Sequence, residues 1–105
     1  MSVKIQQIYI GESIRKEAPR MVRAAKRGKV PKDCWLITFS DIPGSELEIV
    51  RSYFLRGELV IRPMPKIVGI AGTKGEAFDL LVEMTEDCFR ARKDASLKAY
   101  LGQEP

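Results

Sequence analysis

The sequence contains no histidine, which removes the commonest general base and the commonest metal ligand near neutral pH. Ser-His-Asp and Cys-His catalytic arrangements are therefore excluded. Cysteine is also scarce, since Cys34 and Cys88 lie far apart in apolar segments without metal-ligand spacing. We predict two buried free thiols, no disulfide, no metal site, no cofactor and no catalytic residue. Carboxylate, lysine or tyrosine chemistry stays open, so the composition disfavours an enzyme without excluding one.

Long hydrophobic runs are absent as well. The longest, such as residues 67–71, fall far short of the roughly 18 residues that span a bilayer. Residues 1–5 lack the apolar region of a secretory signal. Apolar residues still make up 45% of the chain, which is enough for one core. We expect a cytoplasmic protein that makes no membrane contact and folds as one domain over residues 1–105, with residues 102–105 frayed.

Hydrophobic periodicity predicts strands and helices in alternation. The predicted strands cover residues 3–10, 34–39 and 66–71, with a short edge strand at 59–61. The predicted helices lie within residues 13–27, 45–56 and 76–93, and one further turn follows residue 95. Because alternating elements favour right-handed crossovers, we predict an α/β fold. It has a small, single-layer, mostly parallel sheet of three to four strands, with three helices in strand-helix-strand-helix-strand-helix order.

Local signals mark the ends of the first two helices. Pro19 indicates that the first helix begins near Ala18 or is kinked there, and Gly28 is well placed to end it. Ser45, followed three residues later by Glu48, forms the capping-box pattern that predicts the start of the second helix.

The last predicted helix has two distinct sides. Its apolar residues fall on one broad arc: Ala77, Phe78, Leu80, Leu81, Val82, Met84, Cys88, Phe89 and Ala91. Its charged residues fall on the opposite arc: Glu76, Asp79, Glu83, Glu86, Asp87 and Arg90. We predict that the apolar arc packs flat on a sheet and that the carboxylates are solvated, without an acid–base role. Trp35 and Tyr53 are interpreted as core or rim residues.

Charge is distributed unevenly along the chain. Residues 1–32 contain nine basic and two acidic residues (net +7), whereas the remainder contains nine basic and twelve acidic residues (net −3). A continuous first helix would place six basic side chains on one face: Arg15, Lys16, Arg20, Arg23, Lys26 and Arg27. This face is a candidate surface for nucleic acid or another polyanion, or else a solvated helix face. Alternatively, it meets the acidic face of the last helix in self-association or in a partner protein.

A glycine-containing loop joins the last predicted strand to the last helix. Backbone N–H groups at a helix start bind anions, and this loop adds a hydroxyl and a lysine. The candidate anion-binding residues are Gly72, Thr73, Lys74, Gly75 and Ser13, with Ser13 facing the loop if the strand order brings them together. The spacing matches neither the Walker nor the dinucleotide pattern, and the simpler interpretation is a tight turn capped by Thr73. In a parallel sheet Ser40 and Asp41 would lie on the same edge.

Three hypotheses about function follow. The leading one is a non-enzymatic module that binds a protein partner or forms a homo-oligomer. The alternatives are polyanion binding through the basic first helix and binding of a small phosphorylated ligand at the loop from Gly72 to Gly75.

Overall fold

The computed structural model describes residues 3–31, 33–55 and 65–102. Within them the chain forms five strands: β1 Val3–Ile5, β2 Ile8–Ile10, β3 Trp35–Phe39, β4 Leu47–Arg51 and β5 Ile67–Ala71. It also forms three α-helices in the same residues: α1 Ala18–Lys26, α2 Lys74–Arg92 and α3 Leu97–Leu101. Short 3₁₀ turns at Glu12–Ile14 and Ser52–Leu55 precede α1 and follow β4. The predicted edge strand at 59–61 and the tail residues 103–105 lie outside the described residues.

All five strands belong to one mixed sheet with the order β1-β2-β5-β3-β4. Only β2 and β5 pair in parallel, whereas β1–β2, β3–β5 and β3–β4 are antiparallel. The prediction of an α/β fold is confirmed. The prediction of a mostly parallel sheet of three to four strands is wrong, because two hairpins add antiparallel strands at both edges.

Helices cover both faces of this sheet. On one face α1 buries Ala18 and Val22 against side chains such as Ile10 and Ile70. On the other face α2 buries Ala77, Leu80 and Met84 against side chains of the strands. These strand residues are Tyr9, Ile37, Val68 and Ala71. Leu97 and Leu101 of α3 pack at the rim of the same cluster. The central strand β5 is therefore buried along its whole length.

The predicted first strand is divided into a hairpin, which is the first correction. Ile5 pairs with Ile8, so that Gln6 and Gln7 form a two-residue turn, with φ of 49° and 73°. Positive φ at both central residues is the pattern of a type I′ hairpin turn, in which Asn and Gly are favoured. Gln-Gln carries no such signal, so the reversal could not be predicted from these two residues.

The helix predicted for residues 45–56 is the second correction. The segment instead forms β4, which pairs antiparallel with β3 through five successive residue pairs from Trp35↔Arg51 to Phe39↔Leu47. Ser45 does not cap a helix, since its hydroxyl donates to the carbonyl oxygen of Leu47 at 3.4 Å. Leu47 and Ile49 pack into the core under α2, whereas Val50 packs into the core under α1, as alternation along a strand requires. Strand β3 is thereby hydrogen-bonded to a strand on each of its two edges. Pairing with β3 therefore outweighs the local helix signal.

The ends of α1 agree with the sequence signals. The helix begins at Ala18 with Pro19 in its first turn, where backbone N–H groups lack helical acceptors in any case. It ends at Lys26, and Gly28 follows with a positive φ of 77°. The further turn predicted after residue 95 is α3.

Gly69 of β5 lies close to Met84 of α2 and to Ile37 of β3, so a substitution there tests the packing. A Cβ atom at Gly69 would lie 2.7 Å from Cε of Met84 and 3.3 Å from Cβ of Ile37. We expect Gly69→Ala to lower the free energy of unfolding by about 1–3 kcal/mol because the core is overpacked. Urea denaturation measures the change.

Gly75→Ala is the matched control. No atom lies within 4 Å of a Cβ placed at Gly75, which is in the first turn of α2. This variant should be neutral or more stable, since alanine favours a helix. Equal destabilisation by the two substitutions would contradict the close approach at Gly69.

Candidate functional site

The parallel strands β2 and β5 are neighbours, and the helices that follow them cover opposite faces of the sheet. Open α/β sheets form a crevice at the carboxyl ends of such strands, and we use that name for this point. Here the carboxylate of Glu76 occupies the crevice. Its Oε1 accepts hydrogen bonds from the Gly72 backbone N–H at 2.8 Å and from the Ser13 hydroxyl at 2.7 Å. Its Oε2 accepts from the Ser13 backbone N–H at 3.1 Å. One side chain of α2 thus ties the two strand ends together.

Two glycines leave the space that this carboxylate occupies. A Cβ at Gly11 would lie 2.1 Å from Oε1 of Glu76, and a Cβ at Gly72 would lie 2.2 Å from Oγ of Ser13. Gly11 also donates its backbone N–H to the carbonyl oxygen of Ile70 at 2.8 Å, which continues the β2–β5 pairing. A side chain at either position would displace the Glu76 carboxylate or the Ser13 hydroxyl, so the two glycines allow these hydrogen bonds by their lack of a Cβ atom, rather than by an unusual backbone angle.

The hydrogen bonds also set the ionisation of Glu76. Partial burial acts to raise the pKa of its carboxyl group, but the bonds from Gly72 and Ser13 outweigh it, and the pKa lies below its ordinary value of 4.5. Glu76 is therefore charged at neutral pH and places a negative charge at the N-terminus of α2, where the helix dipole favours it.

The predicted anion-binding residues occupy different positions. Ser13 does face the loop, and it contacts Glu76 together with Gly72. Thr73 caps α2, since its hydroxyl accepts from the Glu76 backbone N–H at 3.1 Å, as the simpler interpretation predicted. Lys74 points over the ring of Trp35, with its Nζ 5.8 Å from the ring centroid. An external anion would have to displace the Glu76 carboxylate.

The prediction for Ser40 and Asp41 is wrong. Because β3 runs antiparallel to β5, its carboxyl end lies at the opposite edge of the sheet, where Phe39 donates to the carbonyl oxygen of Lys66. There Lys98 of α3 donates from Nζ to the carbonyl oxygen of Ser40 at 2.7 Å.

The basic residues are exposed, as the charge pattern predicted, but they do not all lie on one helix. Arg15 and Lys16 precede α1, in the turn after the 3₁₀ segment. Arg20 and Arg23 belong to α1, and Arg27 is the residue that follows its last turn; these three lie opposite the buried side of the helix. The exposed set is Arg15, Lys16, Arg20, Arg23, Lys26 and Arg27. Within the described part of the chain, no ion pair to these side chains is present. We call Arg20, Arg23 and Arg27 the basic ridge.

The outer surface of α2 differs from the prediction of one buried apolar arc. Ala77, Leu80, Met84 and Cys88 are buried and Leu81 is half-buried. Ala91 is exposed in the last turn of the helix. The three remaining apolar residues, all large, also face solvent: Phe78 is 50% exposed, Val82 59% and Phe89 58%. Phe78, Val82 and Phe89 recur at the i, i+4, i+11 spacing of one helix side, with Thr85 and Glu86 between the last two. We call these three residues the α2 stripe.

A helical wheel of α2 separates its apolar residues into two groups, one buried and one exposed. The buried residues and the stripe lie on clearly different sides of α2, with Leu81 and Thr85 between them. A helix that packs on a flat sheet buries only the side that faces the sheet, and here that side is narrower than the predicted apolar arc. The sequence interpretation combined both groups because it did not fix which direction faces the sheet.

On the flank of α2 away from the stripe, Asp87 is held by two partners. The hydroxyl of the buried Tyr9 donates to Oδ2 of Asp87 at 2.5 Å, and Arg90 forms an ion pair with its other oxygen. The hydrogen bond from Tyr9 lowers the pKa of Asp87, whereas burial raises the pKa of Tyr9. Tyr9 and Asp87 thus anchor α2 to β2, and the prediction that all the carboxylates are merely solvated is wrong for Glu76 and Asp87.

Both cysteines are free and buried, as predicted. Burial raises the pKa of each thiol, which keeps both in the unreactive protonated form at neutral pH.

Three further observations concern metal sites, membrane-spanning helices and similarity to known proteins. Among the described residues, no group of three or more cysteine, aspartate or glutamate side chains is arranged to hold a metal ion. The same residues include no helix with the length and apolar character that bilayer crossing requires. Comparison with known protein families, with curated proteins and with solved structures finds no match for this chain.

Replacing Glu76 tests the crevice. Glu76→Gln keeps the size of the side chain but loses the charge, so we expect the free energy of unfolding at pH 7 to fall by about 1–2 kcal/mol. Because the pKa of Glu76 is lowered in the folded state, its contribution is complete above about pH 4.5 and declines as the pH falls through the lowered pKa. The difference between wild type and variant should therefore shrink in acid, which denaturation at several pH values measures.

Glu86→Gln is the control, since Glu86 is exposed on the same helix. An equal effect of both substitutions, or a difference that grows in acid, would argue against the hydrogen bonds at Glu76.

Proposed function

We propose that this chain is a protein-binding module and that the α2 stripe is its docking surface. The carrying observation is the exposure of Phe78, Val82 and Phe89 in one line on a regular helix. Single exposed apolar residues are normal on a protein surface, but an aligned group with two aromatic residues is characteristic of an interaction site.

The position of the stripe supports this proposal. Helix α2 is held by Glu76 at its first turn and by Asp87 near its end, so that its backbone is fixed before any partner binds. Phe78 and Phe89 are eleven residues apart, about 16 Å along the helix axis. A rigid helix of this kind presents its side chains with little ordering on binding. The bound protein is either another chain or a second copy.

A photo-reactive group within the stripe tests the proposal. We expect a benzoyl-phenylalanine at Val82 to form covalent adducts in a cell extract, because a partner would cover this position. The same group at Glu12, exposed at the carboxyl end of β2, is the control and should form none. Mass spectrometry of the adducts identifies a second copy or another protein. Absence of adducts at Val82, or equal labelling at Glu12, would contradict a docking surface on α2.

A second candidate function, polyanion binding, is favoured by the basic ridge. Arg20, Arg23 and Arg27 share the outer side of α1, on the sheet face opposite α2. Phosphate contacts of this kind release counterions, so that binding would fall steeply with salt. The ridge contains no aromatic residue for base stacking, which favours contact with the backbone of a nucleic acid over its bases.

Reversing the charge of the ridge tests this second candidate. We expect the triple variant Arg20→Glu, Arg23→Glu, Arg27→Glu to weaken binding to labelled single-stranded or duplex oligonucleotides by about tenfold or more at low salt. Fluorescence anisotropy at several salt concentrations measures it. The control reverses Arg51, Arg90 and Lys93, three exposed residues outside the ridge. Salt-independent binding, or equal losses in both variants, would exclude the ridge.

A further inference from the structure

We infer that the segment that binds the α2 stripe is a basic amphipathic helix of a partner protein, an inference that rests on the function proposed above. It is carried by the juxtaposition of the exposed apolar side chains with carboxylates on the same surface of α2.

The carboxylates lie directly beside the stripe. Asp79 is three residues before Val82, and Glu86 is four residues after Val82 and three before Phe89. Residues at these separations are neighbours on a helix surface. Both side chains are exposed. A ligand that covers Phe78 and Val82 thus comes close to two negative charges, which favour lysine or arginine at its rim. At the other end of the stripe Arg92 and Lys93 lie three and four residues after Phe89.

The surface favours a helical partner over an extended one. A helix side offers only side chains, since its backbone groups are already paired within α2. An extended peptide gains most of its affinity from backbone hydrogen bonds to a sheet edge and would find none here. A helical segment satisfies its own backbone, and its side chains fit between those of α2 as ridges into grooves.

A second copy of the chain is the competing occupant. In an antiparallel pairing of two α2 helices, Glu86 near the middle of the stripe would lie close to the same residue of the other copy, which disfavours a dimer. The acidic first half of each helix would face the basic last turn of the other, which favours one. The basic helix α1 of a second copy would bring arginines but no apolar contact, because Met21 and Val22 are buried in its own core. The oligomeric state in solution is therefore measured beside peptide binding.

The test uses two designed peptides of about 18 residues, which is long enough to cover the stripe. Both carry leucine at helical spacing; one has lysine at the remaining positions and the other has glutamate. Fluorescence anisotropy at low and moderate salt measures binding to the full chain. We expect the lysine peptide to bind and its affinity to fall with salt, and the glutamate peptide to bind at least about tenfold more weakly.

Two pairs of substitutions separate charge from apolar contact. Asp79→Lys with Glu86→Lys should weaken binding of the lysine peptide about tenfold. Glu12→Lys with Glu17→Lys makes the same change in net charge at exposed positions near α1 and should leave binding unchanged. A variant with serine at Phe78, Val82 and Phe89 should abolish binding. Circular dichroism checks that each variant is folded, which we expect because all the substituted side chains are exposed.

The outcomes distinguish the two proposals. If the glutamate peptide binds as well as the lysine peptide and the serine variant abolishes both, or if the α2 charge reversal has no effect while the serine variant abolishes binding, the basic partner is wrong and the docking surface stands. Binding of the glutamate peptide that the serine variant leaves unchanged takes place at the basic ridge instead. If sedimentation velocity shows a dimer that the serine variant disrupts, the docking surface also stands and the basic partner is also wrong, because a second copy then occupies the stripe. If neither peptide binding nor oligomerisation depends on the stripe, both proposals fail.

Discussion

The two-sided burial of β5 is the constraint on which the rest of the described fold depends. Its side chains enter both cores, Ile67 and Ile70 on the face of α1 and Val68 and Ala71 on the face of α2. A strand that is buried on both faces must be hydrogen-bonded along both edges, because an unpaired backbone group without water is costly. Strands β2 and β3 provide those bonds. The outer hairpins and the helices are then placed relative to this strand.

The sequence predicted the elements whose signals are local, and it missed those that depend on distant pairing. The continuous apolar run of β5 and the long periodicity of α2 were sufficient for their assignment. The segment that became β4 has residues that suit either period, and its Ser45–Glu48 pattern resembles a helix start. The strand conformation of this segment depends on its pairing with β3, which joins residues too far apart in the chain for a local pattern to show it. The direction of β3 relative to β5, and with it the location of Ser40, was likewise beyond local reasoning.

At the crevice, the sequence predicted the meeting of Ser13 with the glycine loop but not the group that occupies it. A signal was present, because Thr73 followed three residues later by Glu76 is a capping-box pattern. In the usual form of that box the glutamate reaches back to the N–H of the capping residue. Here it reaches one residue further, to Gly72, and across to Ser13 of the neighbouring strand end. That second contact needs the strand order β2-β5, which no local pattern determines.

The same geometry explains why α2 has two apolar sides. A helix that only covered β5 would need the buried side formed by Ala77, Leu80 and Met84, and its remaining positions would be polar for solubility. Phe78, Val82 and Phe89 gain nothing from the core, and each exposes apolar area that favours association. Asp79 and Glu86 lie beside them, and Arg92 and Lys93 follow Phe89, so charges of both signs border this apolar line. Charges at the border of an apolar surface add specificity more than affinity, because a protein that presents like charges at the same places is repelled.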